Sequence, residues 1–519
     1  NHKSIISLVP EYGLEKEKEQ KEADKLAEYK STLTNDELEE LVKKTKELKE
    51  YQDTPSSQED LEKIPMLELS DIKREPAKDY NDVKSVDGIK IVHHNIFTNK
   101  IAYINMSFDT KCVPDELIPY MGLLGSTLSL MDTKNYTYPE LTNEININCG
   151  GLATGTALYS DKVDFSKNTI VYEVKSKALY EKVPFVLGMM EEIMYNTRFD
   201  DYKRLKEIIA RIKSRLEASL MGQGHSIAML ECCAQFSESA YYSDILRGYK
   251  YYEFIKKLDE EFEQNKTQIV DKLNKLVGYI FNKDNVIVSL TADDEGYDCF
   301  VKALSAKSCN IKDEHYNTAV RSFIPVNVKT GYTSASQVQY VARCGNFVKD
   351  GYKYTGALKV LKVIFSYDYL WINVRVKGGA YGCMSGSSRN GDFYMVSYRD
   401  PNLEKTNDIY EGAADYIRNF NVSRRDMVKF IIGTIGEIDA PLTPSAIGSR
   451  SFTHYMCNCT EDMLRKDREE VLDATVESIR ELAPLIESAV GQNYLCVVGN
   501  QKQINEAADL FDEIKPLIG

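Results

Sequence analysis

One glycine-interrupted stretch, residues 369–382 (YLWINVRVKGGAYG), constrains this chain more than any other, and it contains the only tryptophan, Trp371. The run over residues 357–372 leads into it with little polar interruption and predicts a buried helix, with Arg375 near its end. Gly378 and Gly379 supply the backbone freedom that ends a helix. The stretch therefore predicts a helix that stops at a sharp corner.

A hairpin is predicted directly after this corner. Residues 381–387 and 392–398 have the composition of two strands, and the Asn390-Gly391 pair between them favours a hairpin turn. The corner would then hold the guanidinium of Arg375 and the phenol of Tyr381 close together. Two such donors aimed at one oxygen are what acyl-transfer chemistry needs. From the spacing alone, an ordinary helix–hairpin junction with an incidental arginine and tyrosine remains an alternative.

The composition excludes some classes of function. A length of 519 residues predicts about two to four domains. The net charge of −14 argues against a nucleic-acid partner, which requires a basic face. The sequence has no apolar run of membrane-spanning length, so no membrane contact is expected. Eleven scattered cysteines without a Cys-x-x-Cys pair favour free thiols and a reducing, cytoplasmic location.

The first 76 residues predict two segments. Residues 1–10 include a strand-like run without a nearby partner, and we interpret it as the last strand of a preceding domain that is absent here. Residues 11–76 predict a charged helical hairpin, with a capping box at Thr34–Glu37, followed by a proline-containing linker. Either a hinge between two larger halves or a solvated coiled-coil arm would have this pattern.

Two similar units are predicted to follow, over residues 77–312 and 313–519. Each has the order strands, helix, hairpin, long helices and a last strand. We therefore predict an α+β fold with two related domains, each a mixed or antiparallel sheet with helices packed on one face. The second domain carries Arg375 and Tyr381.

The first of these units has well-marked local elements. Strands are predicted at 89–97 and 102–108, joined by a turn at Thr98-Asn99. A helix is predicted over residues 138–148, and a strand is predicted over residues 152–160.

No metal ligands are predicted in this chain. A metallopeptidase helix presents two histidines one turn apart, and none of the six histidines has that spacing. His93 and His94 are adjacent in a predicted strand, so they point to opposite faces. His225 with Cys232 and Cys233 remains a weaker alternative for a metal trio.

The chain resembles the pitrilysin/insulinase superfamily of zinc metallopeptidases, in particular its presequence-protease branch. The resemblance begins in the corner at residues 369–382. It continues through residues 397–403 (SYRDPNL), 431–441 (IIGTIGEIDAP), 117–120 (LIPY) and from 132–135 (DTKN) to Gly150-Gly151. It covers nearly the whole chain.

The resemblance implies a function. The chain would be the C-terminal half of a zinc-dependent oligopeptidase that degrades unfolded peptides inside a two-half chamber, with zinc bound by the absent N-terminal catalytic half. Arg375 and Tyr381 would be catalytic and substrate-binding, and Gly378 and Gly379 would also contact substrate. The alternative is a catalytically inactive scaffold or regulatory subunit of the same superfamily, which would not need the Arg–Tyr pair.

Overall fold

The computed structural model describes residues 3–7, 9, 13–54, 56–57, 59–60, 63–306 and 311–518. They form two compact units, residues 1–67 and 68–519. The first unit contains helices α1 (Leu14–Thr32) and α2 (Asn35–Asp53). The predicted capping box of α2 is confirmed: the Glu37 N–H donates to the Thr34 hydroxyl, and the Thr34 N–H donates to the Glu37 carboxylate. Residues 3–7 and 9 lie in no helix or strand, and residues 1, 2, 8 and 10 lie outside the described residues, so the strand at 1–10 stays a prediction.

The second unit begins with a six-stranded sheet in the order β1-β2-β6-β3-β5-β4. The strand β6 lies between β2 and β3, so these two strands flank the predicted Thr98-Asn99 turn without pairing. The elements of this half are β1 (Asp82–Val86), β2 (Ile89–Asn95), β3 (Ile101–Asp109), α3 (Ile118–Thr127), α4 (Tyr138–Asn148), β4 (Leu152–Ser160), β5 (Asn168–Leu179), α5 (Val183–Tyr195), α6 (Tyr202–Gly222), α7 (Gly224–Ala234), α8 (Glu238–Arg247), α9 (Tyr249–Glu260), α10 (Phe262–Ile280), β6 (Val286–Ala292) and α11 (Asp294–Ser305).

A second six-stranded sheet follows, in the order β12-β7-β11-β8-β10-β9. The strand β11, expected to close the sheet, lies inside it between β7 and β8. The elements are β7 (Thr330–Ser334), β8 (Tyr340–Asn346), α12 (Ala357–Ile364), β9 (Gly382–Ser387), β10 (Asp392–Tyr398), α13 (Glu404–Glu411), α14 (Ala413–Arg418), α15 (Arg424–Ile438), α16 (Pro444–Met456), α17 (Glu461–Leu472), α18 (Val476–Arg480), α19 (Ala483–Gly491), β11 (Tyr494–Asn500), α20 (Gln501–Glu506) and β12 (Glu513–Pro516).

The two sheets repeat one pattern of strand pairing, as the order of predicted elements indicated. In each sheet the first two inner strands are parallel (β2 with β6, β7 with β11) and the remaining pairs are antiparallel (β6-β3-β5-β4 and β11-β8-β10-β9). Only the outer strands differ, since β1 pairs antiparallel with β2 whereas β12 pairs parallel with β7. The α+β fold with two related sheets is therefore confirmed.

Helices cover one face of each sheet, as predicted. On the first sheet, α3 packs against β4 and α5 packs against β5. The buried stripe of α6, which is Leu205, Ile208, Ile209 and Ile212, belongs to the same apolar core. On the second, the buried residues of α12, α15 and α19 form a single apolar core with the sheet. Burial of apolar surface stabilises both layers by roughly 25 cal/mol per Å².

The opposite face of each sheet is crossed by one helix that comes from the part of the chain around the other sheet. Helix α7 packs on β8, β10 and β11 of the second sheet, where Ile227 and Cys232 contact the buried strand residues. Helix α16 packs on β2 and β6 of the first sheet through Phe452. A glycine allows each close approach: a Cβ on Gly224 would lie 2.2 Å from the Tyr340 ring, and a Cβ on Gly448 would lie 1.9 Å from the Thr291 hydroxyl. Two smaller apolar clusters, one beneath each crossing helix, therefore join the part of the chain around the first sheet to the part around the second.

Candidate functional site

The helix that leads into the glycine corner extends further than its sequence predicts. Beyond Ile364 the chain continues in wide π-helical turns over Phe365–Tyr369 and Trp371–Val376. Arg375 therefore lies within the last turn, whereas the predicted helix ended at residue 372. One side of this segment is solvent-exposed, since Tyr367 is 70% exposed, so the helix is only partly buried. Single π-helical turns are frequent at functional sites.

The two glycines shape the corner itself. A Cβ on Gly378 would lie 2.4 Å from the Val374 carbonyl oxygen, so no side chain fits there. Gly379 has φ of 83°, the left-handed region that glycine tolerates, and its N–H donates to the Arg375 carbonyl at 2.8 Å. Asn402 donates its side-chain N–H to the Gly378 carbonyl at 2.6 Å. The contacts of both glycines are thus those expected where a helix ends.

Arg375 and Tyr381 come together at this corner, as predicted. The Arg375 guanidinium carbon lies 3.9 Å from the Trp371 ring centroid and 5.7 Å from the Tyr381 ring centroid. Tyr381 is 65% exposed. Within the described part of the chain, neither the guanidinium nor the phenol hydroxyl has a hydrogen-bond or ion-pair partner. Both groups are therefore available to an incoming ligand.

The backbone of Tyr381 is held by the returning strand. Its N–H donates to the Tyr398 carbonyl at 3.1 Å, and the two tyrosine rings meet edge to face at 5.8 Å. After Tyr398 the chain turns at Arg399, which has φ of 48°. Asp400 then fixes the turn, because its buried carboxylate accepts hydrogen bonds from the Thr406 hydroxyl at 2.7 Å and the Asn402 N–H at 2.9 Å. The same burial raises the pKa of Asp400 above its ordinary value.

His225 also lies at this corner, whereas the sequence offered it only as a candidate metal ligand. It lies near the start of α7, and its ring packs edge to face on Tyr398 with 4.8 Å between centroids. Burial lowers the pKa of His225 and thus favours the neutral imidazole. Its Nδ1 is buried and has no hydrogen-bond partner among the described residues. The crossing of α7 onto the second sheet brings it here, and no local sequence signal indicates that crossing.

The metal trio of His225, Cys232 and Cys233 is not supported. Cys232 and Cys233 lie in the apolar cluster between α7 and the second sheet, beside the buried Cys344. Among the described residues, the only three potential ligands whose donor atoms approach one another are Asp284, Asp313 and His315, all exposed. The sequence-based alternative is therefore wrong for these three residues.

The other described histidines also do not fit a zinc site of the superfamily type. The ring of His93 contacts the Ala292 carbonyl oxygen at 3.0 Å, and His94 bonds to the Ser289 hydroxyl at 2.9 Å and to the Tyr80 carbonyl. His454 pairs with the Asp79 carboxylate at 2.6 Å. Each ring is already engaged by a neighbour that is not a second histidine. The described residues of this chain therefore offer no site of that kind.

Two family models match the chain, one for the region associated with M16 peptidases of subfamily C, over residues 8–258, and one for the PreP C-terminal domain over residues 331–500. Protein HypA of Clostridium perfringens is 39% identical over 522 residues, which is 100% of this chain and 53% of the relative. Presequence protease 1 of Arabidopsis thaliana (chloroplastic/mitochondrial) is 29% identical over 526 residues, 100% of this chain and 48% of the relative. The chain thus spans about half the length of these curated relatives.

Solved structures share the fold. The peptidase M16 inactive domain of Pseudomonas fluorescens superposes with a TM-score of 0.56 at 15% identity, covering 84% of this chain and 98% of that one. A protease of Helicobacter pylori superposes with a TM-score of 0.56 at 13% identity, covering 81% and 99%. At these identities the likeness concerns the fold alone. Among the described helices, none has both the length and the apolar character needed to cross a bilayer.

Proposed function

We propose a function for a chain that belongs to the M16 peptidase family and corresponds to the C-terminal half of a presequence-protease-like protein. In this proposal the chain binds no zinc and closes a chamber against a catalytic N-terminal half. It helps that half to cleave unfolded peptides. The observation that carries this proposal is the glycine corner, where Arg375 is partly buried and Tyr381 is exposed. Neither side chain has a hydrogen-bond or ion-pair partner among the described residues, and the backbone around them is fixed.

The chemical role of the pair follows from peptide cleavage. When a peptide carbonyl is attacked, negative charge builds on its oxygen, and a positioned hydrogen-bond donor stabilises that charge. The hydroxyl of Tyr381 is a neutral donor suited to this task. The guanidinium of Arg375 is a permanent cation with a planar fork, and it holds the substrate main chain. Gly378 and Gly379 border the same corner and would lie beside the bound peptide.

The remaining parts of the proposal concern the partner half, the substrate and the compartment. In this proposal zinc and the catalytic base belong to the N-terminal half, as the family resemblance implies. The rings of His93, His94 and His454 are engaged by other neighbours, which supports that assignment. The acidic net charge suits basic peptides and disfavours nucleic acid. The ten described cysteines are free thiols, as in a reducing compartment such as the cytoplasm.

A catalytically inactive scaffold or regulatory subunit is the second candidate. The solved M16 domain of Pseudomonas fluorescens is described as inactive, which makes this a real alternative. A scaffold does not require a cation and a phenol that are held side by side without hydrogen-bond or ion-pair partners among the described residues. The arrangement of Arg375 beside Trp371 and Tyr381 therefore favours the catalytic role.

The test compares variants in the protein that contains both halves. Tyr381→Phe keeps the ring packing on Tyr398 and removes only the hydroxyl, so we expect turnover of peptide substrates to fall about 100- to 1,000-fold. Arg375→Ala should weaken both substrate binding and turnover, and Arg375→Lys should restore only part, since lysine lacks the planar fork.

Matched controls separate chemistry from folding. Tyr367→Phe removes a hydroxyl from an exposed tyrosine of the same helical segment, and Arg465→Ala breaks an exposed pair with Asp462. Both should leave turnover unchanged, and all variants should melt at the temperature of the parent. Near-normal turnover in Tyr381→Phe, or a fall matched by Tyr367→Phe, would show that the pair is architectural and would favour the scaffold.

A further inference from the structure

A cavity of about 410 Å³ lies on the first sheet, in the wedge that the crossing helix α16 leaves open. The helix is held tightly against β6, where Gly448 meets Thr291. Its backbone lies over β2 and β6, and Phe452 reaches across to meet the Tyr159 ring of β4 edge to face at 6.0 Å. The part of this face around Asn105, Lys175 and Lys177 is left open as the cavity. The floor of the cavity is formed by strand residues that include Asn105, Lys175 and Lys177, and its roof by Ser445, Ser449 and Phe452 of α16.

The floor is polar, although the fold does not require it to be. Across the first sheet, one row of paired strand residues is Lys175, Asn105 and Ser289. The corresponding strands of the second sheet carry the row Val396, Ala342 and Cys496, which is buried beneath α7 in an apolar cluster. The same crossing can therefore be packed with apolar side chains, and the polar floor points to a ligand.

The hydrogen-bonding capacity of the floor is only partly used. The side-chain N–H of Asn105 donates to the Glu173 carboxylate at 2.8 Å, which fixes the amide orientation. Its Oδ1 is buried and receives no hydrogen bond from any described residue. Such an acceptor requires a donor, because an unpaired buried polar atom costs about 1–3 kcal/mol.

The charge at the cavity is also unbalanced. The carboxylate of Glu173 is engaged by Lys175 at 2.5 Å and by the Tyr159 hydroxyl at 3.1 Å. Lys177, further along the same strand β5, lines the cavity and pairs with no carboxylate in the part of the chain that the structure describes. The cavity is thus lined by one cation without a paired carboxylate, Lys177, and by one buried acceptor without a donor, Asn105 Oδ1. The rings of Tyr103 and Phe452 line the same cavity.

We propose that this cavity binds a carboxylate-bearing segment of a peptide. The carboxylate pairs with Lys177, a peptide N–H donates to Asn105 Oδ1, and the apolar part of the residue packs on Phe452. The carboxylate is supplied either by the peptide C-terminus or by an acidic side chain. The inference rests on the proposed function for its choice of a peptide ligand, and it is tested by binding, which is independent of turnover at Tyr381.

The experiment measures fluorescence anisotropy of labelled hexapeptides on the whole chain at low ionic strength. The first peptide has a free C-terminal carboxylate, the second an amide end, and the third an amide end with an internal glutamate. We expect the first to bind at least about tenfold more tightly than the second, the loss expected for one charge-assisted hydrogen bond. Binding of the third as tightly as the first would identify the side-chain source; binding as weak as the second identifies the C-terminus.

Three variants locate the site. Lys177→Met should reduce binding of the carboxylate peptide to the level of the amide peptide, and Ser449→Met should block every peptide by filling the cavity. Lys90→Met removes an exposed lysine of β2 that does not line the cavity, and it should change nothing. Equal affinity for all three peptides, or equal loss in Lys177→Met and Lys90→Met, would overturn the proposal. Unchanged thermal melting of each variant establishes that folding is intact.

Discussion

The guanidinium of Arg375 stacks over the ring of Trp371, with 3.9 Å between the guanidinium carbon and the ring centroid. Because the π-helical turn places these residues on one side of the segment, the ring holds the cation beside Tyr381. A cation–π contact at an exposed site contributes about 0.5–1 kcal/mol. The ring orients Arg375 and leaves its positive charge intact, whereas a carboxylate partner would neutralise that charge.

Replacing Trp371 by leucine tests this orientation. We expect Trp371→Leu, in the two-half protein, to lower peptide turnover about two- to fivefold, the equivalent of one exposed cation–π contact. The melting temperature should change little, since Trp371 is 37% exposed. Steady-state kinetics beside a thermal melt is the measurement. A loss as large as that of Arg375→Ala would mean that the tryptophan itself contacts substrate.

The glycine beneath the crossing helix α16 should be essential to stability. In Gly448→Ala the new Cβ would lie 1.9 Å from the Thr291 hydroxyl, so helix or strand must move, at a cost of about 1–3 kcal/mol. Urea unfolding measures this change. Gly436→Ala is the matched control, because a Cβ there meets nothing within 4 Å and the helix should be unchanged or stabilised by up to ~1 kcal/mol. Equal stability of the two variants would contradict tight packing of α16.

The stability of the fold should fall in mild acid because of His94. Burial lowers the pKa of His94 to about 4, below the ordinary value of 6.5. The unfolded chain therefore takes up a proton at a higher pH than the folded chain does. The stabilisation is complete above about pH 6.5 and is lost as the pH falls towards 4, by roughly 2–4 kcal/mol in total.

Urea unfolding of His94→Gln between pH 4.5 and pH 7.5 checks this. The variant keeps a polar side chain beside Ser289 but does not titrate, so its stability should depend less on pH than that of the parent. His315→Gln serves as the control, since its side chain is 75% exposed. A parent curve that is flat between pH 4.5 and 6.5 would contradict the burial of a neutral imidazole at this position.

Limited proteolysis should cut the chain first between about residues 53 and 73. Beyond that segment the chain is held against the helices of the second sheet. Arg468 donates to the Lys73 carbonyl at 2.8 Å, and Arg74 pairs with Asp473 at 2.5 Å. Helix α6 should resist, because Leu205, Ile208 and Ile209 are buried. Mass spectrometry of the early fragments is the measurement, and early cuts within residues 202–222 would contradict it.

The sequence by itself determined most local elements. The predicted bounds of α4, β4 and β10 agree with the structure, as does the capping box of α2. These elements follow from short-range chemistry: side-chain periodicity, a capping hydroxyl and an Asn-Gly turn. The proximity of Arg375 and Tyr381 was also predictable, since both residues lie within one glycine-containing stretch. The catalytic role proposed for them comes from the family resemblance.

Only the tertiary structure decided which elements cover which. Strand β6 inserts between β2 and β3, helix α7 packs on the second sheet, and helix α16 packs on the first. His225 likewise meets Tyr398. Each of these contacts joins residues that are far apart in the chain. A periodic pattern shows that a face is buried, but the partner that buries it is selected by the packing of the whole unit. The polar cavity over Asn105 depends on that packing, because it exists only where α16 leaves the sheet uncovered.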